Sequence, residues 1–202
     1  LKRNLKDAWW RSMVQLRDNI FGLDSSIIQH SKVWEASGHV AGFSDPMVEC
    51  SKCKIRVRED HLDEESKKCA QGGGCEFGEA RDFNLMFKTN LGPLEDTSNT
   101  VYLRPETAQG IFINFQNIVD STRLKIPFGV AQQGKSFRNE ITTRHFTFRT
   151  CEFEQMEMEF FCHPDEMDKW YEYWRNERLR WFVDLGANPE NLRLRDHEAD
   201  EL

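Results

Sequence analysis

Two extended runs, residues 128–140 and 146–161, place the strongest constraint on the fold. The segment "ITTRH" joins them, so the sequence predicts a long antiparallel hairpin. Its outer part reads "SFRNEITTRHFTFRTCEFEQMEMEFF" and gathers basic residues ahead of acidic ones, with phenylalanines in both halves. A solvated surface would mix the two signs of charge. The hairpin is therefore a candidate binding site.

Side chains on a strand alternate between two faces, and this divides the charged residues of the hairpin. Arg138 and Glu140 share one face of the first strand, while Arg149, Phe153 and Glu157 share a face of the second. Guanidinium groups bind phosphate oxygens, a phenyl ring stacks on a purine, and a carboxylate binds an amine or ammonium. If these two faces lie on the same side of the hairpin, their side chains would form a site that fits a nucleotide beside an amino acid. The alternative is a hairpin with a salt-bridged polar face.

The remaining elements are predicted from periodicity and turn residues. Residues 1–18 form an amphipathic helix with a strand after it, and the glycines and Pro46 in residues 38–49 mark turns. Residues 80–92 are strand-like, and "GPLEDTSNT" is a loop. A helix covers residues 105–120, with Pro105 in its first turn. The predicted apolar positions of the first helix are Leu5, Trp9, Met13 and Leu16, and those of the helix over 105–120 are Ile111, Phe112, Phe115, Ile118 and Val119. A last helix is predicted over residues 164–186. Its apolar positions are Met167, Trp170, Trp174, Trp181 and Leu185.

Size and charge limit the class of protein. A chain of 202 residues suits one domain with a small insertion, and a formal charge of -7 argues against a protein that coats nucleic acid. No apolar run approaches the roughly 18 residues that span a bilayer, and the amino-terminal stretch lacks the apolar core of a signal peptide. We expect a cytoplasmic protein with no membrane contact.

Four of the six cysteines fall within residues 50–75, a clustering typical of metal binding in a reducing compartment. Cys50 and Cys53 have the two-residue spacing with which thiolates bind one tetrahedral ion, and Cys69 and Cys75 complete a candidate zinc site. The second pair has five intervening residues instead of two. The alternative is free or partly oxidised thiols. Cys151 and Cys162 are expected to be ordinary buried residues.

The hairpin resembles motif 2 of the class II aminoacyl-tRNA synthetases. That motif runs Phe-Arg-x-Glu, a loop, Arg or His, three residues, Phe, three residues and an acid. Its places are filled here by Phe137, Arg138, Glu140, Arg149, Phe153 and Glu157. Within the class, "YLRPETAQGIFINF" (102–115) and "VWEASGHVAGFSDP" (33–46) are similar to the glycyl-tRNA synthetases of the dimeric type, some of which also carry a zinc-ribbon-like insertion.

The resemblance implies a ligase that activates glycine with ATP and Mg²⁺ and transfers it to tRNA(Gly). Arg138 would contact the α-phosphate and the glycine carboxylate, and Arg149 the triphosphate tail. Glu140 would accept from the adenine amino group, and Phe153 would stack on the base. Glu106 and Glu157 would line an acidic pocket for the glycine ammonium group. Without the resemblance, Glu106 would be a carboxylate in the first turn of a helix.

The class II resemblance also predicts the fold and its divisions. It implies an α+β fold in which an antiparallel sheet is flanked by helices, with motif 1 in residues 1–49, the cysteine insertion in 50–80 and the catalytic core with motif 2 in 81–202. Motif 1 implies a homodimer, although "GLDSSIIQHS" lacks the usual proline. A glycine-rich motif 3 and an anticodon-binding domain are not recognised, so we expect a fragment of a longer synthetase that is incomplete for catalysis alone.

Two other functions remain open from the sequence. One is a synthetase-like accessory protein that has kept the fold and lost charging activity, which the complete set of nucleotide residues argues against. The other is a zinc-dependent nucleic-acid-binding module centred on residues 50–75, which has few exposed aromatic residues and little net positive charge.

Overall fold

A computed structural model describes residues 1–62, 67–93 and 99–198 of the protein. These residues combine helices with largely antiparallel sheets, so the predicted α+β class is confirmed. The predicted loop "GPLEDTSNT", residues 92–100, lies partly outside the described residues. Two compact units are present: residues 1–124 with 129–159, and residues 125–128 with 160–202. The boundaries predicted at residues 49 and 80 stay a prediction.

The described residues form five α-helices and nine strands. The helices are α1 (Lys2–Trp10), α2 (Ser31–Ala36), α3 (His39–Gly42), α4 (Ala108–Thr122) and α5 (Met167–Asp184). The strands are β1 (Ile20–Leu23), β2 (Ile28–His30), β3 (Ser44–Glu49), β4 (Arg56–Arg58), β5 (Arg81–Asn84), β6 (Lys88–Asn90), β7 (Thr100–Leu103), β8 (Phe128–Phe137) and β9 (Glu152–Phe161). None of the described helices is long and apolar enough to cross a lipid bilayer.

The nine strands form three sheets of three strands each. Their strand orders are β1-β8-β9, β2-β7-β6 and β4-β3-β5. β1 runs parallel to β8, with Ile20 opposite Gly129, whereas the second and third sheets are antiparallel. The third sheet joins β4, from the cysteine-rich segment, to strands on both sides of that segment in the sequence.

The predicted hairpin is present, but its strands are shorter than the alternation suggested. β8 ends at Phe137 and β9 begins at Glu152. The Arg138 N–H donates to the Cys151 carbonyl at 3.0 Å, and the long connection closes on itself at an antiparallel bridge between Arg144 and Arg149. Arg138 and Arg149 therefore lie in the connection, where backbone turns rather than strand parity decide their direction.

The prediction that Gly38, Gly42 and Pro46 mark turns is wrong for Gly42 and Pro46, which lie in α3 and β3. Gly38 adopts a φ of 81°, which only glycine tolerates readily, and starts the short helix α3. The following residues form β3, which contains Pro46. Among the described residues, β4 pairs with residues 47–49 and Pro46 pairs with β5 alone, so a residue without an N–H is tolerated there.

A buried arginine holds the core of the first unit together. Arg104 is 1% exposed, and its Nε donates to the Lys135 carbonyl while its Nη1 donates to the Ser25 carbonyl, both at 2.8 Å. A Cβ at position 134 would lie 2.2 Å from Nη2 of Arg104, so Gly134 leaves the space that the guanidinium occupies. Arg104 thus fixes the segment between β7 and α4 against β8.

Helix burial follows the predicted apolar positions only in part. In α1, Trp9 is buried, whereas Leu5 is 40% exposed and Leu16, beyond the helix, is 68% exposed. α4 begins at Ala108 instead of Pro105 and buries Ile111, but Phe112 is half exposed.

The aromatic residues of the second unit cluster around Phe160. Its ring centroid lies 4.7 Å from that of Trp170 and 5.3 Å from that of Trp174. Met167 and Leu185, the ends of the predicted apolar stripe of α5, are 63% and 46% exposed, so the prediction of a continuous buried stripe is wrong there.

Candidate active site

Arg138 is held between two aromatic rings at the end of β8. Its guanidinium carbon lies 5.2 Å from the ring centroid of Phe153 and 5.3 Å from that of Phe43. Its Nε donates to the Pro105 carbonyl at 3.2 Å. Contacts of a cation with ring faces are favourable and restrict the plane of the guanidinium. The side chain is therefore oriented before any ligand arrives.

The four residues predicted to bind a nucleotide line one cavity of about 660 Å³. They are Arg138, Glu140, Arg149 and Phe153. A cavity of this size is typical of small-molecule sites. Its described lining also includes Asp60, His61, Leu62, Arg144, His145, Phe148 and Thr150.

Arg149 and Glu140 contact each other across this cavity. The Arg149 Nε lies 3.1 Å from Oε2 of Glu140, whose side chain is only 9% exposed. The resemblance implied separate ligand contacts for these two residues, whereas their ion pair fits the alternative of a salt-bridged polar face. A ligand that forms a hydrogen bond with the Glu140 carboxylate would compete with Arg149 for it.

One wall of the cavity comes from residues 60–62, which the sequence assigned only to the cysteine insertion. They follow β4 in a short 3₁₀ turn, Glu59–His61. The pairing of β4 with β3 brings this turn to the hairpin. No local sequence signal marks it, because the approach depends on long-range sheet register.

The predicted acidic pocket lies beside the segment that follows β7. The Thr107 hydroxyl donates to Oε2 of Glu157, and Nε2 of Gln109 donates to Oε1 of Glu106 at 2.7 Å. Neither glutamate is among the described lining residues of the nucleotide cavity. The link to the cavity is Pro105, whose carbonyl accepts from Arg138.

Glu159, on the same face of β9 as Glu157, adds a third carboxylate. Burial, and then the negative charges of Glu157 and Glu106, raise the pKa of the Glu159 carboxyl above its ordinary value. Strand alternation alone puts Glu159 on this face of β9, and no role was predicted for it. The region is therefore strongly acidic and favours a cation.

His39 supports Glu106 from the side of α3. Its Nε2 lies 3.3 Å from Oε1 of Glu106, and its Nδ1 lies 2.9 Å from the Ser37 hydroxyl. The ring is only 13% exposed and packs edge-on against Trp34. Glu106 Oε1 thus has two neighbouring donors. No role was predicted for His39, although it lies within the stretch "VWEASGHVAGFSDP".

The four clustered cysteines come together in space. The Sγ atoms of Cys50, Cys53, Cys69 and Cys75 all lie within 4.8 Å of one another, and those of Cys53 and Cys75 are 3.9 Å apart. A zinc tetrahedron with Zn–S bonds of about 2.3 Å has edges of about 3.8 Å, so the thiols fit a tetrahedral ion. None of the six cysteines forms a disulfide; Cys151 and Cys162 are partly exposed, against the prediction of burial.

Local hydrogen bonds prepare one of these thiols for deprotonation. The backbone N–H of Cys53, more than any other group, lowers the pKa of the Cys50 thiol to about 6. Burial and the neighbouring sulfurs raise the pKa of the Cys75 thiol to about 12. Four thiols this close repel as thiolates unless a cation lies among them.

The architecture is that of a class II tRNA synthetase core. It is similar to the RNA-binding domain of threonyl-tRNA synthetase from Cryptosporidium parvum, with a TM-score of 0.55 and 17% identity over 91% of this chain and 36% of that one. It is also similar to a structure described as a threonyl-tRNA synthetase from Aeropyrum pernix, with a TM-score of 0.56 and 14% identity over 88% of this chain and 29% of that one. These likenesses concern the fold.

Residues 86–200 match the family described as tRNA synthetase class II core domain (G, H, P, S and T), and the chain belongs to that family. It is 55% identical to a glycine–tRNA ligase of Borrelia hermsii over the whole chain and 46% of the relative. It is 54% identical to one of Treponema denticola, over the whole chain and 45% of the relative, and 48% identical to one of Geobacillus thermodenitrificans, over the whole chain and 49% of the relative. The chain thus spans a little under half of these curated relatives.

Proposed function

We propose that the protein acts as a glycine–tRNA ligase, which activates glycine with ATP and transfers it to tRNA(Gly). The observation that carries this proposal is the Arg138 guanidinium, fixed between Phe43 and Phe153 at the edge of a nucleotide-sized cavity. Relatives at 54% to 56% identity that are named glycine–tRNA ligase support it. The rival accessory protein and nucleic-acid module gain no such support.

The first half-reaction brings two negative groups together. The glycine carboxylate attacks the α-phosphorus of ATP, forms the acyl–phosphate bond and expels pyrophosphate. Arg138 would contact both the carboxylate and the α-phosphate, which neutralises their repulsion and holds them in line. Its restriction by two rings supports this role, because an oriented donor needs no reorganisation during the reaction.

The rest of the cavity would bind the nucleotide. Arg149 would contact the triphosphate tail, whose negative charge Mg²⁺ would also offset. Glu140 would accept from the adenine amino group, and Phe153 would stack on the base. Adenine binding then requires Glu140 to give up part of its contact with Arg149, which frees that guanidinium for phosphate.

Glu106 and Glu157 would bind the ammonium group of glycine. Each has one oxygen near protein donors: Glu106 Oε1 near Gln109 and His39, and Glu157 Oε2 bonded to Thr107. The other oxygen of each carboxylate is then directed by these fixed contacts. Larger amino acids would be excluded because their side chains would clash with the walls of the pocket. The contacts of a single methyl group separate two amino acids by only about 1 to 3 kcal/mol, and a clash with a rigid wall can separate them by more.

Further properties of the proposal concern metal, assembly and location. The four clustered cysteines would hold a structural Zn²⁺. The protein would form a homodimer through the motif 1 region, residues 1–49. It would work in the cytoplasm, a reducing compartment that suits its unpaired cysteines.

Glycine-dependent exchange of labelled pyrophosphate into ATP by the full-length protein tests the proposed activity. We expect exchange with glycine and far less with alanine or serine. Exchange that requires a different amino acid, or none with any amino acid, would overturn the proposal. A separate assay of glycine transfer to tRNA(Gly) checks the second half-reaction.

A further inference from the structure

The turn Glu59–His61 lies between the second and third cysteines in the sequence, yet it reaches the nucleotide cavity. Asp60 and His61 are among the lining residues, together with Arg149. Nothing in the motif 2 pattern assigns a role to this turn. The turn therefore brings residues from outside the hairpin next to Arg149, which lies within it.

Arg58, the last residue of β4, clamps the turn in place. Its Nε and Nη2 donate to the two carboxylate oxygens of Asp60 at 2.9 and 2.7 Å. Its Nη1 lies 2.8 Å from Oδ2 of Asp45 in β3. The Arg58 side chain is 20% exposed, and forked bonds to carboxylates hold a guanidinium in one geometry. The turn is therefore fixed relative to the sheet.

His61 faces Arg149 from this fixed turn. Its Nδ1 lies 3.4 Å from Nη1 of Arg149. Every guanidinium nitrogen carries hydrogen and none accepts, so Nδ1 must be the acceptor and the ring proton belongs on Nε2. That nitrogen lies 3.9 Å from Oδ2 of Asp60. With Glu140 on its Nε, Arg149 is thus held from two sides.

We propose that His61 is a positioning residue for Arg149, and that the Arg58–Asp60 clamp sets its place. His61 accepts from Nη1 and keeps the guanidinium directed into the cavity when Glu140 turns to the adenine. The inference rests on the proposed function, since it gives Arg149 the triphosphate as its ligand. It makes the cysteine-rich segment a working part of the nucleotide site.

The test compares two substitutions of His61 in the full-length protein. Asn places its Oδ1 near the position of Nδ1 and keeps an acceptor, whereas Leu removes it. We expect His61→Leu to raise the Kd of MgATP, measured by calorimetry, and the KM of ATP in exchange about tenfold or more, as for a lost bond to a charged group. His61→Asn should stay within about twofold of the wild type in both measurements, and the KM of glycine should hardly change in either variant.

Arg58→Gln and Arg56→Gln are the matched pair for the clamp. Both arginines lie on β4, but Arg56 pairs with Glu49 and is absent from the described cavity lining. Arg58→Gln should weaken MgATP binding as His61→Leu does, and Arg56→Gln should not. Thermal unfolding checks that all variants are folded.

Unchanged MgATP affinity in folded His61→Leu would overturn the inference, and so would equal weakening by Leu and Asn. Either result leaves the proposed function standing as long as the wild type shows glycine-dependent exchange. Absence of that exchange contradicts the proposed function alone, because the calorimetric comparison needs no turnover.

Discussion

The Nε of Arg138 donates a hydrogen bond to the carbonyl oxygen of Pro105 at 3.2 Å. This bond joins the end of β8 to the segment that carries Glu106 and Thr107. The proposed phosphate-binding cation and the proposed ammonium-binding acids are therefore anchored to the same short stretch of backbone. A substitution on that stretch should weaken the binding of glycine and leave the fold intact.

Thr107→Val tests how Glu157 is oriented. Thr107 is fully buried, and valine keeps its shape while removing the hydroxyl that donates to Glu157. Bonds to charged groups are worth about 1.5 to 3 kcal/mol, so we expect the KM of glycine in pyrophosphate exchange to rise about tenfold or more. Thr100→Val, which removes an exposed bond to Asn90, is the control. An unchanged KM of glycine in Thr107→Val would show that this bond does not orient the acid.

His39→Phe tests the support of Glu106. Phenylalanine keeps the ring packing against Trp34 but cannot donate to Oε1. We expect the KM of glycine to rise about tenfold with the KM of ATP unchanged, and His39→Gln, which retains a donor, to recover most of the loss. His163→Phe, at an exposed histidine beside Asp165, is the control. Equal defects in the Phe and Gln variants would argue that His39 acts only through packing.

Glu159 should make stability fall as pH rises. Burial raises its pKa above the ordinary value of 4.5, so the native state binds more protons than the unfolded state between the two pKa values. The free energy of unfolding then decreases with increasing pH across that window. Glu159→Gln should remove this component, which denaturant unfolding from about pH 4 to about pH 7 measures. An identical slope in the variant would contradict it.

The cysteine cluster should bind about one zinc ion per chain. Cys69→Ser should lower the metal content measured by atomic absorption and reduce the protease resistance of residues 50–80, because a thiolate ligand is lost. Cys151→Ser, outside the cluster, should retain the metal. Zinc-free wild-type protein that is equally resistant to protease would count against a structural ion.

The candidate site residues could be chosen from the sequence because they follow local patterns. Spacing along the hairpin was enough to select Arg138 and Phe153, and cysteine spacing was enough to select the four thiols. The contact of Arg149 with Glu140 was anticipated only as the general alternative of a salt-bridged polar face, since strand alternation does not show where a ladder ends and the connection begins. His61 was missed for another reason: it reaches the cavity only through the register of β4 on β3.

Burial was the least predictable property of the helices. Helical periodicity identified Trp9 and Ile111 correctly, because both are covered by packed elements. It failed at Phe112 and Met167, since periodicity shows which residues share a face and carries no information on what covers that face.

The most direct test is calorimetric binding of a non-hydrolysable sulfamoyl analogue of glycyl-adenylate to the full-length protein. The analogue spans the nucleotide cavity and the acidic pocket, so Arg138→Ala and Glu157→Gln should each weaken its affinity at least about tenfold, while Arg56→Gln should leave it unchanged. Wild-type affinity in either folded site variant would contradict the claim that one substrate site joins the cation of the hairpin to the acids beside Pro105.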